Sequence, residues 1–531
     1  MEIYGIELKS FLYSTSNAPP NTGVWIDFGD NPSKLDFFEK VFSEEVIQLI
    51  VNETNRYAGQ KISKMRERGT LRSTARATKW TDVDTHEMKA FIATILLMEI
   101  IKMPTYKKYW TMNPLISIPG FRQIMSRDRF LLILQFLHLN NNERNLPQDN
   151  PNHDRLFKLR PFMDMLVNLW QGAYYPCRDV AVDETLIAFK GRTFFKQYKP
   201  KKPHKWGINA WTLAESKSGY VYNWDLYTGK PRDGAQEMGM THRVVRELVE
   251  PIFDRGRHVY MDNYFTSPQL FQTLKDNDTG ACGTLKLNRR GVPAAASQNL
   301  RRGDPPKFTR EGPLLFVYWI DKRQVNLLSS IHSGRTFEKK VRCKRGDGEG
   351  NNPYKFVEKP IAVELYTINM GGVDRADQKA AYFVNQHCNA KWWKKVFFHM
   401  LEVAIVNATI IHKEHFGLTR VDATKFRLRL AAHLLEGYDR PSYRSGRRSD
   451  EQDLPTRLVG RHFPAKLPGN SRRDCVVCSQ RKDKNHPDGK RHSSYYWCAP
   501  CQTGLCPYPC FERYHTLRDY KVACSDALHN A

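Results

Sequence analysis

No uninterrupted run of about 18 apolar residues, the length a membrane-crossing helix requires, occurs in this 531-residue sequence. The longest candidate, Phe91 to Ile101, is broken by Thr94 and Glu99 and runs into Pro104, so it reads as a buried helix. The N-terminus carries Glu2 and Glu7 and no continuous apolar segment, which argues against a secretory signal. An intracellular protein is expected, with no membrane among its partners. Acidic residues are scarce beside basic ones, 56 against 82, and the resulting net charge of +26 favours a polyanion, nucleic acid foremost, over a neutral partner. Cysteine is almost missing from the first 474 positions, where four occur singly, while seven lie between Cys475 and Cys524. A disulfide-stapled secreted domain is not laid out this way, and metal binding in a reducing compartment is the better account.

What the chain does contain is material for more than one core: 41% hydrophobic residues, with 11 Trp, 24 Tyr and 28 Phe. Residues 1–35 have no sustained period and read as a flexible arm. Residues 36–175 read as a helical domain, with Phe37, Phe38, Val41 and Phe42 followed by Val46, Ile47 and Ile50, and further helices at 85–103 and 127–139. Strand-like runs follow at Val180 to Phe189, Gly207 to Leu213 and Tyr220 to Tyr227, then a helix at 240–253 and a strand from His258 to Asp262. Ser267 and Pro268 supply the cap and first turn of a helix to about residue 276. This alternation is α/β. We read 176–285 as the first part of this core, 286–360 as an inserted subdomain with a hairpin at 314–320 and 324–332, and 361–420 as the second part. Trp393, Val396, Phe397, Met400, Leu401, Ala404 and Ile405 form one apolar stripe in that last part. Residues 421–470 read as a basic linker, with import-like clusters around Arg444, Arg447 and Arg448, and 471–531 as a cysteine-rich domain.

Three aspartates stand out. Asp183 sits inside the apolar run Val180-Ala-Val-Asp-Glu-Thr-Leu-Ile-Ala-Phe189, where an uncompensated carboxylate is costly. Asp262 ends Val259-Tyr-Met-Asp-Asn263, and Asp374 lies in Met370-Gly-Gly-Val-Asp-Arg-Ala-Asp377, at the start of a helix. Carboxylates from two strands and a helix can converge on two Mg²⁺ (or Mn²⁺) ions, hard cations that activate an attacking oxygen and stabilise the leaving oxygen of a phosphodiester. Singly, each is more often a turn or salt-bridge residue. Their neighbours are distinctive: Phe189-Lys-Gly-Arg192 and Lys196-Gln-Tyr-Lys-Pro-Lys-Lys-Pro-His-Lys-Trp-Gly207 after the first, Asn263-Tyr-Phe-Thr-Ser267 after the second, Ala376-Asp-Gln378 after the third.

These segments resemble the three signature blocks of the piggyBac transposase family, and the likeness runs from about residue 36 to about 415 and resumes in the cysteine-rich tail. The resemblance implies a multidomain α/β (α+β) protein: a ribonuclease H-like DDD core with a helical N-terminal region, an inserted subdomain and a C-terminal zinc-binding domain. It implies Asp183, Asp262 and Asp374 as the metal-binding triad, with Asp377 as a nearby fourth carboxylate. It further implies cut-and-paste transposition through DNA hairpins at TTAA targets, on double-stranded transposon ends and target DNA, by a homodimer, and the import-like basic clusters point to the nucleus.

Lys190, Arg192, Lys196, Lys199, Lys201, Lys202 and Lys205 follow the first aspartate closely enough to line a DNA backbone, against the plainer reading of a solvated loop. Gly283-Thr-Leu-Lys-Leu-Asn-Arg-Arg290 resembles another family block, with Lys286 and Arg289 near the cleaved strand. Trp392 and Trp393 point about 100° apart on a helix. Trp393 fits the core, and Trp392, beside Lys391, Lys394 and Lys395, is placed to stack on an unpaired base or to serve as a half-buried structural residue. In the tail, Cys475, Cys478, Cys498, Cys501, Cys506, Cys510 and His515 give seven zinc-type ligands, with His486 or His492 as candidates for an eighth. The resemblance makes that tail a reader of terminal repeats, whereas zinc chemistry alone equally admits a RING- or PHD-like protein-interaction module. Two rival readings of the whole chain remain: a domesticated DNA- or chromatin-binding descendant without transposition activity, and a zinc-based adaptor.

Overall fold

The computed structural model describes residues 22–229, 239–293, 300–342, 354–383, 391–439, 456–458, 461–479, 489, 491–517 and 520, together with the backbone at 2–3 and 6–7. Arg444, Arg447, Arg448 and His486 lie outside the described residues. Two units separate: residues 1–102 with 131–438, and residues 103–130 with 439–531.

The first unit is organised around a nine-stranded mixed sheet. Its strands are β1 (Asp179–Ala188), β2 (Lys196–Tyr198), β3 (Trp206–Glu215), β4 (Val221–Leu226), β5 (His258–Met261), β6 (Gly280–Thr284), β7 (Lys307–Glu311), β8 (Leu314–Ile320) and β9 (Gln324–Ser329). They lie in the order β2-β3-β1-β5-β6-β9-β8-β7, with β4 also paired to β3. β1, β3 and β4 form an antiparallel meander, and β5 and β6 then add in parallel. Parallel pairing demands crossovers, and the Gly239–Val249 and Pro268–Asp276 helices supply them. The second helix is capped as its sequence predicts, the Ser267 hydroxyl accepting from the Leu270 N–H at 3.3 Å.

The hairpin of β8 and β9 does not stand apart as an insertion. β9 pairs with β6 through Leu327↔Thr284, so these strands extend the core sheet. A separate ribbon, Thr336–Arg342 against Tyr354–Pro360, follows them. Local periodicity shows a hairpin but not which distant strand it joins.

The segment read as a linker holds the Ala423–Leu434 helix, capped by Asp422, which buries Phe426, Leu430, Ala431 and Leu434. Lys425, Arg427 and Arg429 mask that stripe in sequence, and Arg427 is itself buried. Its guanidinium pairs with Glu99 of the Thr85–Ile100 helix at 3.2 Å and with Glu402 of the Trp392–His415 helix, and lies 4.0 Å from the Phe383 ring centroid. Trp392–His415 is also the one described helix long and apolar enough to cross a membrane, which the search for unbroken apolar runs missed; 83% of its apolar window is buried, so here it is a core helix.

Arg427→Met should leave Glu99 and Glu402 buried without a counter-charge and destabilise the unit by about 3–5 kcal/mol. A urea-denaturation midpoint unchanged from wild type would refute that account.

Candidate active site and metal centres

β1 and β5 are parallel neighbours with Val182 opposite Met261, so the next residue on each, Asp183 and Asp262, emerge side by side. Neighbouring strands lie about 4.8 Å apart, so the pairing brings two like charges near one another. The Asp262 turn is tight: its Oδ1 accepts from the Tyr264 N–H at 2.8 Å and its carbonyl from the Thr266 hydroxyl at 2.8 Å. Gly283 on β6 permits this, since a Cβ there would meet the Thr266 hydroxyl at 2.2 Å and the Met261 carbonyl at 2.7 Å.

The Gly372–Phe383 helix brings the other two carboxylates. Val373 packs on Ala181 and Ala214, and Gly372 lets the helix approach so closely that a Cβ would lie 2.9 Å from the Glu215 carbonyl oxygen. Arg375 donates to the Ser216 carbonyl at 2.5 Å and Lys379 to the Ser218 carbonyl at 2.6 Å, clamping the helix on the sheet. On β1, Thr185 shares the Asp183 face. Its hydroxyl donates to Asp377 Oδ1 at 2.8 Å and contacts the hydroxyl of Thr212, the cross-strand partner of Asp183, at 3.1 Å. Asp374, one helical turn before Asp377, is exposed.

The electrostatics record the crowding. Burial pushes Asp183 up to about 7, and Asp262 and Asp374 add to the shift, while the Glu184 N–H and Lys202 oppose it. Burial lifts Asp377 to about 6, with Asp374 adding and Thr185 and Lys202 opposing. Asp262 is raised by burial and by Glu184, against Lys286. Among the described residues, only two groups of His, Cys, Asp or Glu, both in the tail, bring all their donor atoms within 4.8 Å of one another. No three of the aspartates are gathered that tightly.

Several of the basic residues expected to meet DNA have a structural partner. Lys199 pairs with Glu184 at 2.7 Å, and Lys202 lies 3.4 Å from the Glu184 carbonyl. Arg289 donates to the Tyr264 carbonyl at 2.6 Å, which braces the Asp262 turn. Lys286, with Asn263, Asn288, Gln324 and Asn326, lines a cleft of about 490 Å³ next to that turn. Lys190, Arg192 and Lys205 are exposed. Trp393 is core, and Trp392 is half-buried, edge-on to Phe195 at 5.0 Å. Sequence reasoning missed Thr185 and Glu184, whose signal was their place beside Asp183 in the same strand.

In the second unit the tail sorts its ligands into Cys475, Cys478, Cys506 and Cys510, and His462, Cys498, Cys501 and His515. The candidate that completes the second group is His462, within the segment read as linker, and neither group includes His492. The His462 Nδ1 lies 3.3 Å from Cys498 Sγ, and the His515 Nε2 3.6 Å from Cys501 Sγ. His515 donates from Nδ1 to the Phe511 carbonyl at 2.7 Å, an outer contact that aims Nε2 at the thiols. Along the chain the ligands alternate between the groups, so each group's loops enclose the other's. Cys475 is drawn down by the Cys510 thiol, whereas burial and Cys475 push Cys478 up to about 12. Four sulfurs this close cannot all ionise without a cation, and soft donors in sets of four suit a tetrahedral one.

A family model described as "Transposase IS4" matches residues 33–409. PiggyBac transposable element-derived protein 2 of Homo sapiens is 26% identical over 84% of this chain and 72% of its own length. PiggyBac transposable element-derived protein 3 of Homo sapiens is 25% identical over 94% of this chain and 78% of its own length. A cryo-EM structure of the piggyBac transposase synaptic complex with hairpin DNA shares the fold, with a TM-score of 0.67 at 21% identity over 92% of this chain and 98% of that one. The chain belongs to the piggyBac transposase family. The span matched to the family model contains the four aspartates, Lys286, Arg289 and Trp392, and stops before the cysteine-rich tail. Membership in a DDE-type transposase family implies the use of divalent metal.

For the metal-free chain the sign of the pH dependence follows from Asp183. Its folded pKa of about 7 exceeds the unfolded value near 3.9, so its contribution to stability is present below about pH 4 and is lost as pH rises through 7. Asp183→Asn should therefore raise stability at pH 8, by about 1–3 kcal/mol, and change little at pH 4. Thermal melting at the two pH values, with metal at the carboxylates withheld, checks this, and an equal effect at both would contradict it.

Proposed function

We propose that this chain is a cut-and-paste DNA transposase that acts in the nucleus, as a homodimer, on double-stranded transposon ends and TTAA target DNA. The observation that carries the reading is the convergence of Asp183, Asp262 and Asp374 from two parallel strands and one helix of a piggyBac-family fold. Asp183, Asp262 and Asp374 would hold Mg²⁺ or Mn²⁺, with Asp377 as a nearby fourth carboxylate. Bound there, the ions would activate the attacking oxygen, from water and then from a DNA 3′ hydroxyl, and stabilise the leaving oxygen of the phosphodiester. The protein's own part is positional. Thr185 fixes Asp377, Arg289 fixes the turn after Asp262, and Lys202 offsets part of the repulsion among the carboxylates. Exposed Lys190, Arg192 and Lys205 would take phosphates along the approach, and Lys286 those beside Asp262. The net charge of +26 supports a DNA partner.

The two tail groups would bind Zn²⁺, one through four cysteines and the other through two cysteines and two histidines, in a module that reads the terminal repeats. A domesticated DNA- or chromatin-binding descendant is the alternative in which the carboxylates persist without chemistry.

An excision assay on a plasmid-borne element separates these readings. Metal-dependent excision is expected from the wild type, falling to background in Asp183→Asn, Asp262→Asn and Asp374→Asn; a chain that binds the ends but never cuts them would leave only the alternative. In the tail, His462→Ala should lower bound zinc from two equivalents per chain to one or fewer. Two equivalents retained by elemental analysis would remove His462 from the ligand set.

A further inference from the structure

Beyond Asp183, the edge of the sheet carries aromatic rings that the core does not use. Tyr198 of β2 pairs with Trp206 at the start of β3. Tyr198 is 50% exposed and Trp206 46%, with ring centroids 4.8 Å apart. Phe194, just before β2, is 69% exposed. Covering a large apolar side chain stabilises a fold by about 1.5–3 kcal/mol, so three such rings left in water within one short stretch need a partner to explain them.

Their surroundings say what kind of partner. The Lys196 ammonium lies 5.0 Å from the Trp206 ring centroid, and the Arg155 guanidinium 5.3 Å from that of Phe194. Lys199, Lys201 and Lys205 occupy the connecting hairpin, and no acidic residue occurs between Glu184 and Glu215. An apolar protein surface would have to bury these cations, whereas a nucleic acid strand offers each of them a phosphate and each ring a base to stack on. Duplex DNA keeps its base faces covered, so the rings select unpaired bases.

The platform is rigid and tied to the aspartate site. The Lys199 N–H donates to the Lys205 carbonyl at 2.7 Å and the Lys202 N–H to the Lys199 carbonyl at 3.1 Å, while the Lys199 ammonium reaches Glu184 beside Asp183 at 2.7 Å. Trp206 lies six residues from Thr212, the partner of Asp183 across the strands. That is about 20 Å along an extended strand at ~3.4 Å per residue, a few nucleotides of single-stranded DNA.

We infer that Tyr198 and Trp206 form a stacking platform for the unpaired bases of a DNA strand on its way to or from the aspartate site. The inference rests on the transposase reading for its choice of DNA, but binding can be measured without cleavage. The full-length chain, with zinc retained and no Mg²⁺ added, is titrated by fluorescence anisotropy against a duplex bearing a short single-stranded extension and against the same duplex blunt-ended. Wild type should prefer the extended probe. Trp206→Ala and Tyr198→Ala should each weaken binding to it about ten-fold, leave the blunt duplex within about two-fold, and Trp206→Phe should retain the preference. Equal losses on both probes would mean a general contact and overturn the inference, as would no loss on either, or Trp206→Phe behaving as the alanine variant. Thermal melting checks the fold of each variant, and if Trp206→Ala melts early, the more exposed Tyr198→Ala decides. If the probes are discriminated but the wild type never excises an element, the platform stands and the transposase reading falls. If excision occurs and the substitutions leave the preference for the extended probe unchanged, the reverse holds.

Discussion

The parallel pairing of β1 with β5 is the constraint on which the rest of the first unit depends. It fixes Asp183 and Asp262 as neighbours without any sequence proximity, and it does so in a half-buried place where two negative charges repel. A fold stabilised by only a few kcal/mol overall cannot leave such a conflict loose. The surrounding residues act accordingly. Gly283 and Gly372 allow the closest backbone approaches at the site, Arg289 holds the turn after Asp262, and Arg375 and Lys379 clamp the helix that carries Asp374 and Asp377. Each of these secures a carboxylate where the electrostatics alone would push it away. The strain that remains, visible in the raised Asp183 and Asp377, is what a divalent cation would relieve.

How much of this could be read in advance depended on whether the signal was local. The strands around Asp183 and Asp262, the Ser267 cap and the apolar stripe from Trp393 to Ile405 all announce themselves within a dozen residues, and each forms as read. The resemblance to a family then brought the aspartates together, which composition and spacing could not. What escaped was either masked or distant. Arg427 looked like linker charge because its two partners, Glu99 and Glu402, lie far away in sequence. The pairing of β9 with β6 joins strands some forty residues apart, so a hairpin plain in sequence gave no hint that it enlarges the core sheet. His462 is a lone histidine well before the first cysteine pair, and only folding shows that its ring faces Cys498 and Cys501.

The tail follows a different physical logic. Its buried cluster is small, with Val477, Leu505 and Phe511 among the cysteines, and its strands are two or three residues long. So little apolar area cannot order a module of this size by itself. With ions bound, the two interleaved ligand sets would supply what the core lacks, because an ion in either site would tie together loops that also frame the other. Binding and folding of such a module become one event, and pH enters through the thiols and imidazoles, which must lose protons to bind.

Within the first unit the charges are sorted with a purpose that the net value conceals. Acidic groups are drawn to the β1 and β5 neighbourhood, and the hairpin between β2 and β3 carries cations and exposed rings with no acid among them. The Lys199–Glu184 pair joins these opposite regions, so the hairpin cannot move without disturbing the residue next to Asp183. A polyanion attracted to the hairpin is thereby held at a fixed distance from carboxylates that would repel it unaided. Positive charge alone would not need the rings, and rings alone would not need the anchor. Their combination on one short, braced hairpin argues that the surface guides a strand whose bases are already unpaired, and that it does so in register with the aspartates.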